Sequence, residues 1–250
     1  MKLKDIQSIE NVQDWLEKHN YIADRPLATS IYLSLVMEKP IFLEGEPGVG
    51  KTEVGKVLAQ ILDTDLIRLQ CYEGLDVHNA IYEWNYSRQI LQIRMMEADG
   101  QTSKDDISKE IFGPEFLIKR PLYQAIDYSG DNPPVLLIDE LDRADVEFEA
   151  YLLEVLSEFQ ISIPEIGTVK ATKPPVVVIT SNRTREIHDA LKRRCLYHWI
   201  SYPSADQEFE IIKRKIPEVN DALGRQVVAF VQAMRQQDFY KLPGISETID

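Results

Sequence analysis

The segment FLEGEPGVGKTEV, residues 42–54, constrains the fold more than any other part of the chain. An apolar run ends in a glycine turn, and helical spacing begins at Lys51. The turn matches G-x-x-x-x-G-K-[ST] as Gly45, Gly50, Lys51 and Thr52. Glycines let successive backbone N–H groups point into one concavity that a bulky side chain would block. The helix start adds the positive end of its dipole. Lys51 supplies a flexible charge for β- and γ-phosphates, and Thr52 a hydroxyl for Mg²⁺. Strand, loop and helix in this order predict a phosphate site. Alone, they leave a kinase, a GTPase and an ATPase all open.

A second apolar run, PPVLLIDE (133–140), narrows the choice. It reads as a buried strand whose end presents Asp139 and Glu140. Asp139 suits Mg²⁺ held through water, completing a site begun by Thr52. Glu140, one residue on, is placed to polarise a water toward the γ-phosphate. A carboxylate that activates water favours hydrolysis over transfer to a substrate hydroxyl. A third run, VVVITSN, ends at Asn182. By itself that Asn reads as a turn residue; beside a phosphate its amide would touch the γ-phosphate or orient the water. Lys192, Arg193 and Arg194 in DALKRRC read as a solvated helix end. The alternative is an arginine that reaches a neighbouring subunit's nucleotide and stabilises transition-state charge.

Around these segments the periodicity predicts helices over 5–18, from Pro26 to near Pro40, and over 51–62, 144–158, 205–214 and 220–236, with helical pieces near 84–97 and 114–128. The polar stretch EADGQTSKDD separates those two pieces. Strands are expected at 40–45, 66–71, 133–140, 174–182 and 195–202. Residues 160–171 read as a hairpin turning at Ile166–Gly167, with Pro164 on an exposed edge. Alternating strands and helices predict an α/β fold with a mostly parallel sheet covered on both faces. The wholly helical pattern after Pro203 predicts a small helical subdomain.

Charge removes one class of partner. With 28 basic against 41 acidic residues the net charge is −13, which disfavours sequence-independent binding to nucleic acid. Two distant cysteines make neither a disulfide framework nor a zinc spacing. His19, His78, His188 and His198 lack ligand spacing and are read as structural or surface residues. The polar start is no signal peptide, and no apolar run approaches a membrane span, so a cytoplasmic chain is expected.

Taken in order, GEPGVGKT (45–52), LLIDELDRAD (136–145), TSN (180–182), DALKRRC (189–195) and LPGISETID (242–250) make the sequence similar to the AAA+ ATPases. It most resembles the MoxR group and its CoxD-like branch, to which LIRLQCYEGLD and YEWNYSRQ also conform. The resemblance implies a P-loop three-layer sandwich with a five-stranded parallel sheet in the order 5-1-4-3-2. It divides the chain into a nucleotide-binding domain, 1–203, and a helical lid, 204–250. An insertion in helix 2, about 76–112, would face a ring's pore, and hairpin 160–171 would be the pre-sensor 1 insertion.

By the same resemblance, ATP contacts fall on Gly45, Pro47, Gly48, Val49, Gly50, Lys51, Thr52 and Glu53, and Mg²⁺ on Thr52 and Asp139. Glu140 is the catalytic base, Asn182 sensor 1, and Arg194 the arginine finger, with Arg193 in reserve. No arginine in PGISETID offers a sensor 2, and the lid is expected to be cut short. The implied assembly is a homo-oligomeric ring, a hexamer in most relatives. Its implied partners are a von Willebrand factor A domain protein and a client protein or metalloenzyme.

Overall fold

The computed structural model describes residues 6–99, 111–237 and 241–249. The most apolar segments form the centre of the fold. β1 (Ile41–Gly45), β5 (Val135–Asp139) and β8 (Val176–Ser181) are buried at every residue. β2 (Leu66–Gln70) and β9 (Leu196–Ile200) flank them, giving a five-stranded sheet in the order β2-β5-β8-β1-β9. All four pairings are parallel. Numbered along the chain, this is the expected 5-1-4-3-2.

Alternation along the strands sorts side chains into two layers. Ile41, Leu43, Val135, Leu137, Val176 and Val178 face α1 (Ile9–Lys18), α2 (Arg25–Met37) and α3 (Lys51–Leu62). Phe42, Leu136, Ile138, Val177 and Ile179 face the other way. There they meet α4 (Val77–Ile81), α6 (Pro121–Ile126) and α7 (Val146–Glu158). Between α4 and α6 the chain also forms β3 (Tyr82–Trp84), α5 (Tyr86–Asp99) and β4 (Leu117–Lys119). The result is a three-layer sandwich whose five parallel strands all end on the side that carries the phosphate loop.

Two local expectations need correction. The helix expected over 114–128 is interrupted: a 3₁₀ turn at Pro114–Phe116 leads into β4, which pairs antiparallel with β3. Pro121 then starts α6 at a position where a missing N–H costs nothing. In the hairpin, β6 (Gln160–Ile163) and β7 (Gly167–Lys170) close through Ile166 N–H on Ile163 O. Gly167 pairs with Ile163, so the turn is Pro164–Ile166, and Pro164 lies in it rather than on a strand edge. The stretch around EADGQTSKDD lies largely outside the described residues.

After the short α8 (Asp189–Lys192) and β9, three helices follow: α9 (Ala205–Lys215), α10 (Asp221–Arg235) and α11 (Ile245–Ile249). Ser204 and Gln207 form a capping box that starts α9 just after Pro203. Phe209, Ile212 and Val228 are the buried apolar centre of this group.

Candidate nucleotide site

The loop after β1 is shaped by backbone conformations that favour glycine. Gly48 has φ 75° and Gly50 φ 95°, both in the left-handed region. Gly50 precedes α3, a 12-residue helix whose N-terminus carries no side-chain cap. Its first amides therefore face the cleft without a protein oxygen from Gly50's position, as an anion site requires. Lys51 is only 5% exposed. Its Nζ donates to Gly45 O (2.8 Å) and Glu46 O (2.6 Å), folding the side chain against the loop. Burial lowers its pKa to about 8, although Asp142, Glu46, Asp139 and Glu140 all pull the other way.

The carboxyl end of β5 supplies the acids. Asp139, 2% exposed, accepts Thr52 Oγ1 (2.9 Å) and Thr180 Oγ1 (2.6 Å) on Oδ1. Arg68 donates to its Oδ2 through Nε (3.1 Å) and Nη2 (2.5 Å). A hydroxyl and a carboxylate in contact form an oxygen donor pair of the kind Mg²⁺ takes, so Thr52 and Asp139 fit that ion. Glu140 is left-handed, with φ 55°, and its N–H donates to Thr180 Oγ1 (2.9 Å). That conformation turns its carboxylate out of strand alternation. Gln70 Nε2 (3.1 Å) and Arg143 Nη1 (3.2 Å) hold Oε2.

Asn182 follows β8, and buried Asp142 fixes its loop. Asp142 accepts Asn182 N–H (3.1 Å), Thr184 N–H (2.9 Å) and Thr184 Oγ1 (2.6 Å). Thr52, Asp139, Glu140, Thr180 and Asn182 thus line one cleft of about 710 Å³, together with Pro47–Glu53. The opposite wall is Tyr21, Ile211, Lys215, Ile245 and Ser246, so the cleft runs between the sheet and the C-terminal helices.

The expected residues do not all converge. Gly45 sits below the loop at the end of β1, its carbonyl taken by Lys51. Glu53 lines the cleft, but its carboxylate is taken by lysines, accepting Lys215 Nζ from α9 (3.0 Å) and pairing with Lys56 of its own helix (3.2 Å). Burial pushes the Glu53 carboxyl up, but these lysines outweigh it and its pKa falls. Arg194 does not line the cleft; its guanidinium donates to Leu153 O at α7. Arg193 is exposed; its backbone N–H caps α8 on Asp189 O (2.9 Å), and its side chain does not line the cleft. Lys192 is no solvated end: it lies 3.8 Å from buried Glu44, near the rings of Phe42 and Tyr197.

Sequence reasoning missed Arg68, Gln70, Asp142 and Thr180. Arg68 and Gln70 alternate on one face of LIRLQC, and β2 beside β5 puts Gln70 opposite Asp139. The signal was present as two polar residues on one face of a strand, legible only once the strand order is known.

A family model of the AAA domain, dynein-related subfamily, matches residues 40–195, from the start of β1 to the end of DALKRRC. The chain belongs to the AAA+ ATPase family. An uncharacterized protein of Staphylococcus haemolyticus is 23% identical to this AAA+ chain over 225 residues, 87% of this chain and 77% of the relative. One from Staphylococcus aureus is 22% identical over 224 residues, 87% and 76% of the two chains.

Among solved structures, a candidate ATPase from Cytophaga hutchinsonii superposes with a TM-score of 0.58 and 18% identity, covering 93% of this AAA+ chain. The chain spans 64% of the length of that structure. RuvB of Thermotoga maritima, a Holliday junction branch migration motor, aligns at a TM-score of 0.46 and 16% identity, over 99% of this chain and 70% of its own. That likeness is too distant to bear on function. Among the described residues of this AAA+ protein, no helix is long and apolar enough to cross a membrane.

Proposed function

We propose that this protein hydrolyses ATP and uses the energy to remodel a client protein, as a MoxR-type chaperone of the CoxD-like branch. One observation carries the reading: Thr52, Asp139, Glu140 and Asn182 meet around a single cleft at an uncapped helix start. In this reading the amides of 47–52 and Lys51 hold the β- and γ-phosphates. Thr52 and Asp139 would hold Mg²⁺, which when bound neutralises charge on those phosphates. Glu140 takes the proton of the attacking water, and Asn182 orients that water or touches the γ-phosphate.

The remaining parts follow from the same proposal. Residues 1–203 form the nucleotide domain and 204–250 a lid, closed on the loop through Ile245 N–H on Gly48 O (2.9 Å) and Lys215 on Glu53. Because neither Arg193 nor Arg194 lines the cleft, an arginine from the next subunit of a ring, with Arg194 the first choice, would complete it. A cytoplasmic ring, with a von Willebrand factor A domain protein as partner, is the assembly this group implies. Co-purification with such a protein would support that partner, and its absence from the assembled complex would remove it.

Incubation with γ-labelled ATP and Mg²⁺ tests the reaction itself. The label should appear as free phosphate. Label on a small-molecule acceptor would instead make this a kinase, and turnover stimulated by DNA would favour a nucleic-acid motor, which the charge of −13 opposes.

A further inference from the structure

Asp139 already has a cation. Arg68 reaches it from β2 and covers Oδ2 with two donors, Nε and Nη2, at 3.1 and 2.5 Å. Oδ1 is taken by Thr52 and Thr180, so all four donors converge on one buried carboxylate. Burying a carboxylate without a partner is costly, and the guanidinium removes that cost without any metal. The two partners differ sharply in exposure: the Arg68 side chain is 49% exposed, that of Asp139 2%. β2 is the edge strand of the sheet, so Arg68 can swing into solvent with no other strand in the way. Its Nη2 also touches Gln70 Oε1 (2.5 Å), and Gln70 Nε2 in turn holds Glu140.

We propose that Arg68 is a built-in counter-ion that competes with Mg²⁺ for Asp139 and so sets how much Mg²⁺ tight nucleotide binding requires. The proposal rests on the nucleotide reading above and adds a residue to it. Its logic is charge: a divalent ion held by Thr52 and Asp139 sits beside a guanidinium bound to the same carboxylate, and like charges at that range repel. Arg68 must loosen when metal is present, and its half-exposed position makes the release cheap. In metal-free protein the same contact keeps Asp139 paired, and through Gln70 keeps Glu140 drawn toward β2.

The test is a Mg²⁺ titration at fixed protein with a fluorescent, non-hydrolysable ATP analogue, starting from chelated metal. The readout is the Mg²⁺ concentration at half-maximal tightening of analogue binding. Arg68→Gln should lower that midpoint by about tenfold, the loss of one charge-assisted contact. Arg68→Lys, which keeps the charge without the fork, should fall between the two. Thermal midpoints without nucleotide give a second readout: Mg²⁺ should raise the midpoint of Arg68→Gln more than that of the wild type. A Mg²⁺ midpoint that is unchanged or higher in Arg68→Gln, with analogue binding intact, overturns the assignment of Arg68 alone. Equal thermal gains from Mg²⁺ in both proteins overturn it too. Failure of wild type and variant alike to bind the analogue at any Mg²⁺ concentration overturns the nucleotide reading and this proposal with it.

Discussion

The sheet and the helices after Pro203 are held together in opposite ways. Both faces of the sheet are apolar, and β1, β5 and β8 are buried throughout. Among the described residues the helical group buries only four apolar side chains, Phe209, Ile212, Val228 and Val231, and beside them lies a buried ion pair. Glu208 is 0% exposed and Arg235 5%; they meet through Nη1 and Nη2 at 2.7 Å on each carboxylate oxygen. Gln232 and Thr248 satisfy the same carboxylate, and Arg235 stacks 4.6 Å from the ring of Tyr202. Apolar burial is non-directional and grows with area, whereas a bidentate pair works in one geometry. The sheet therefore holds a shape, while the helices hold a pose. Arg235 Nε also donates to Pro243 O (2.8 Å), just ahead of the segment whose Ile245 N–H meets Gly48 O. The C-terminal helices are seated on the phosphate loop by polar contacts that can break and re-form.

Removing an apolar anchor from the sheet side should have the largest effect. Phe148, buried on α7, should cost about 3–5 kcal/mol as Phe148→Ala, read as one cooperative loss in denaturant unfolding. A loss confined to α7 would break the contrast from the sheet's side. Next comes Arg235→Met, which leaves Glu208 buried and unpaired at a cost of about 3 kcal/mol. Here hydrogen exchange should show protection lost over α9–α11 and kept in the sheet. Adding Glu208→Leu to Arg235→Met should recover most of that stability, as replacing both charges with apolar groups does elsewhere. If the double variant is as weak as the single one, the ion pair is not what fixes the pose.

Lys51 separates the seat from the core by pH. Its folded pKa lies near 8, below the usual 10.5, so between these values the unfolded chain holds the proton more tightly. The Lys51 contribution to stability without nucleotide, read as wild type minus Lys51→Met, should therefore rise with pH from about 8 to 10.5. The buried thiols Cys71 and Cys195, both pushed up to about 12, impose an opposing fall above about 9 on both proteins. Affinity for a phosphate-bearing ligand falls as Lys51 loses its charge. A difference between wild type and Lys51→Met that stays flat over this range would contradict the assignment to Lys51. The smallest effect belongs to Lys215→Ala. Its half-exposed pair with Glu53 should be worth under ~1 kcal/mol and fade in salt, leaving the seat to the backbone contact at Gly48.

Most of the fold was legible because its strands are short apolar runs that end at chemistry. Ile41–Gly45 and Val135–Asp139 could be placed from pattern alone, since buried parallel strands read as continuous apolar segments. The β3–β4 pair could not. Tyr82–Trp84 and Leu117–Lys119 are three residues each and far apart in sequence, and neither shows a period long enough to count. The site divided the same way. Thr52, Asp139 and Glu140 sit at strand or helix ends, where sequence position dictates direction. Arg68 and Gln70 matter because β2 lies beside β5, a fact of strand order that local pattern does not contain. The pairing of Glu208 with Arg235 was hidden for a related reason, since 27 positions separate two charges that helical spacing assigns to solvent.

ATP turnover by the Glu140→Gln protein, assembled and compared with the wild type, tests the central claim most directly. Removing the carboxylate while keeping its shape should lower turnover by about 10²-fold or more and leave nucleotide binding in place. Unchanged turnover in the assembled variant would contradict the account, because the water would then be activated by a group other than the one that β5 and Thr180 hold at the cleft.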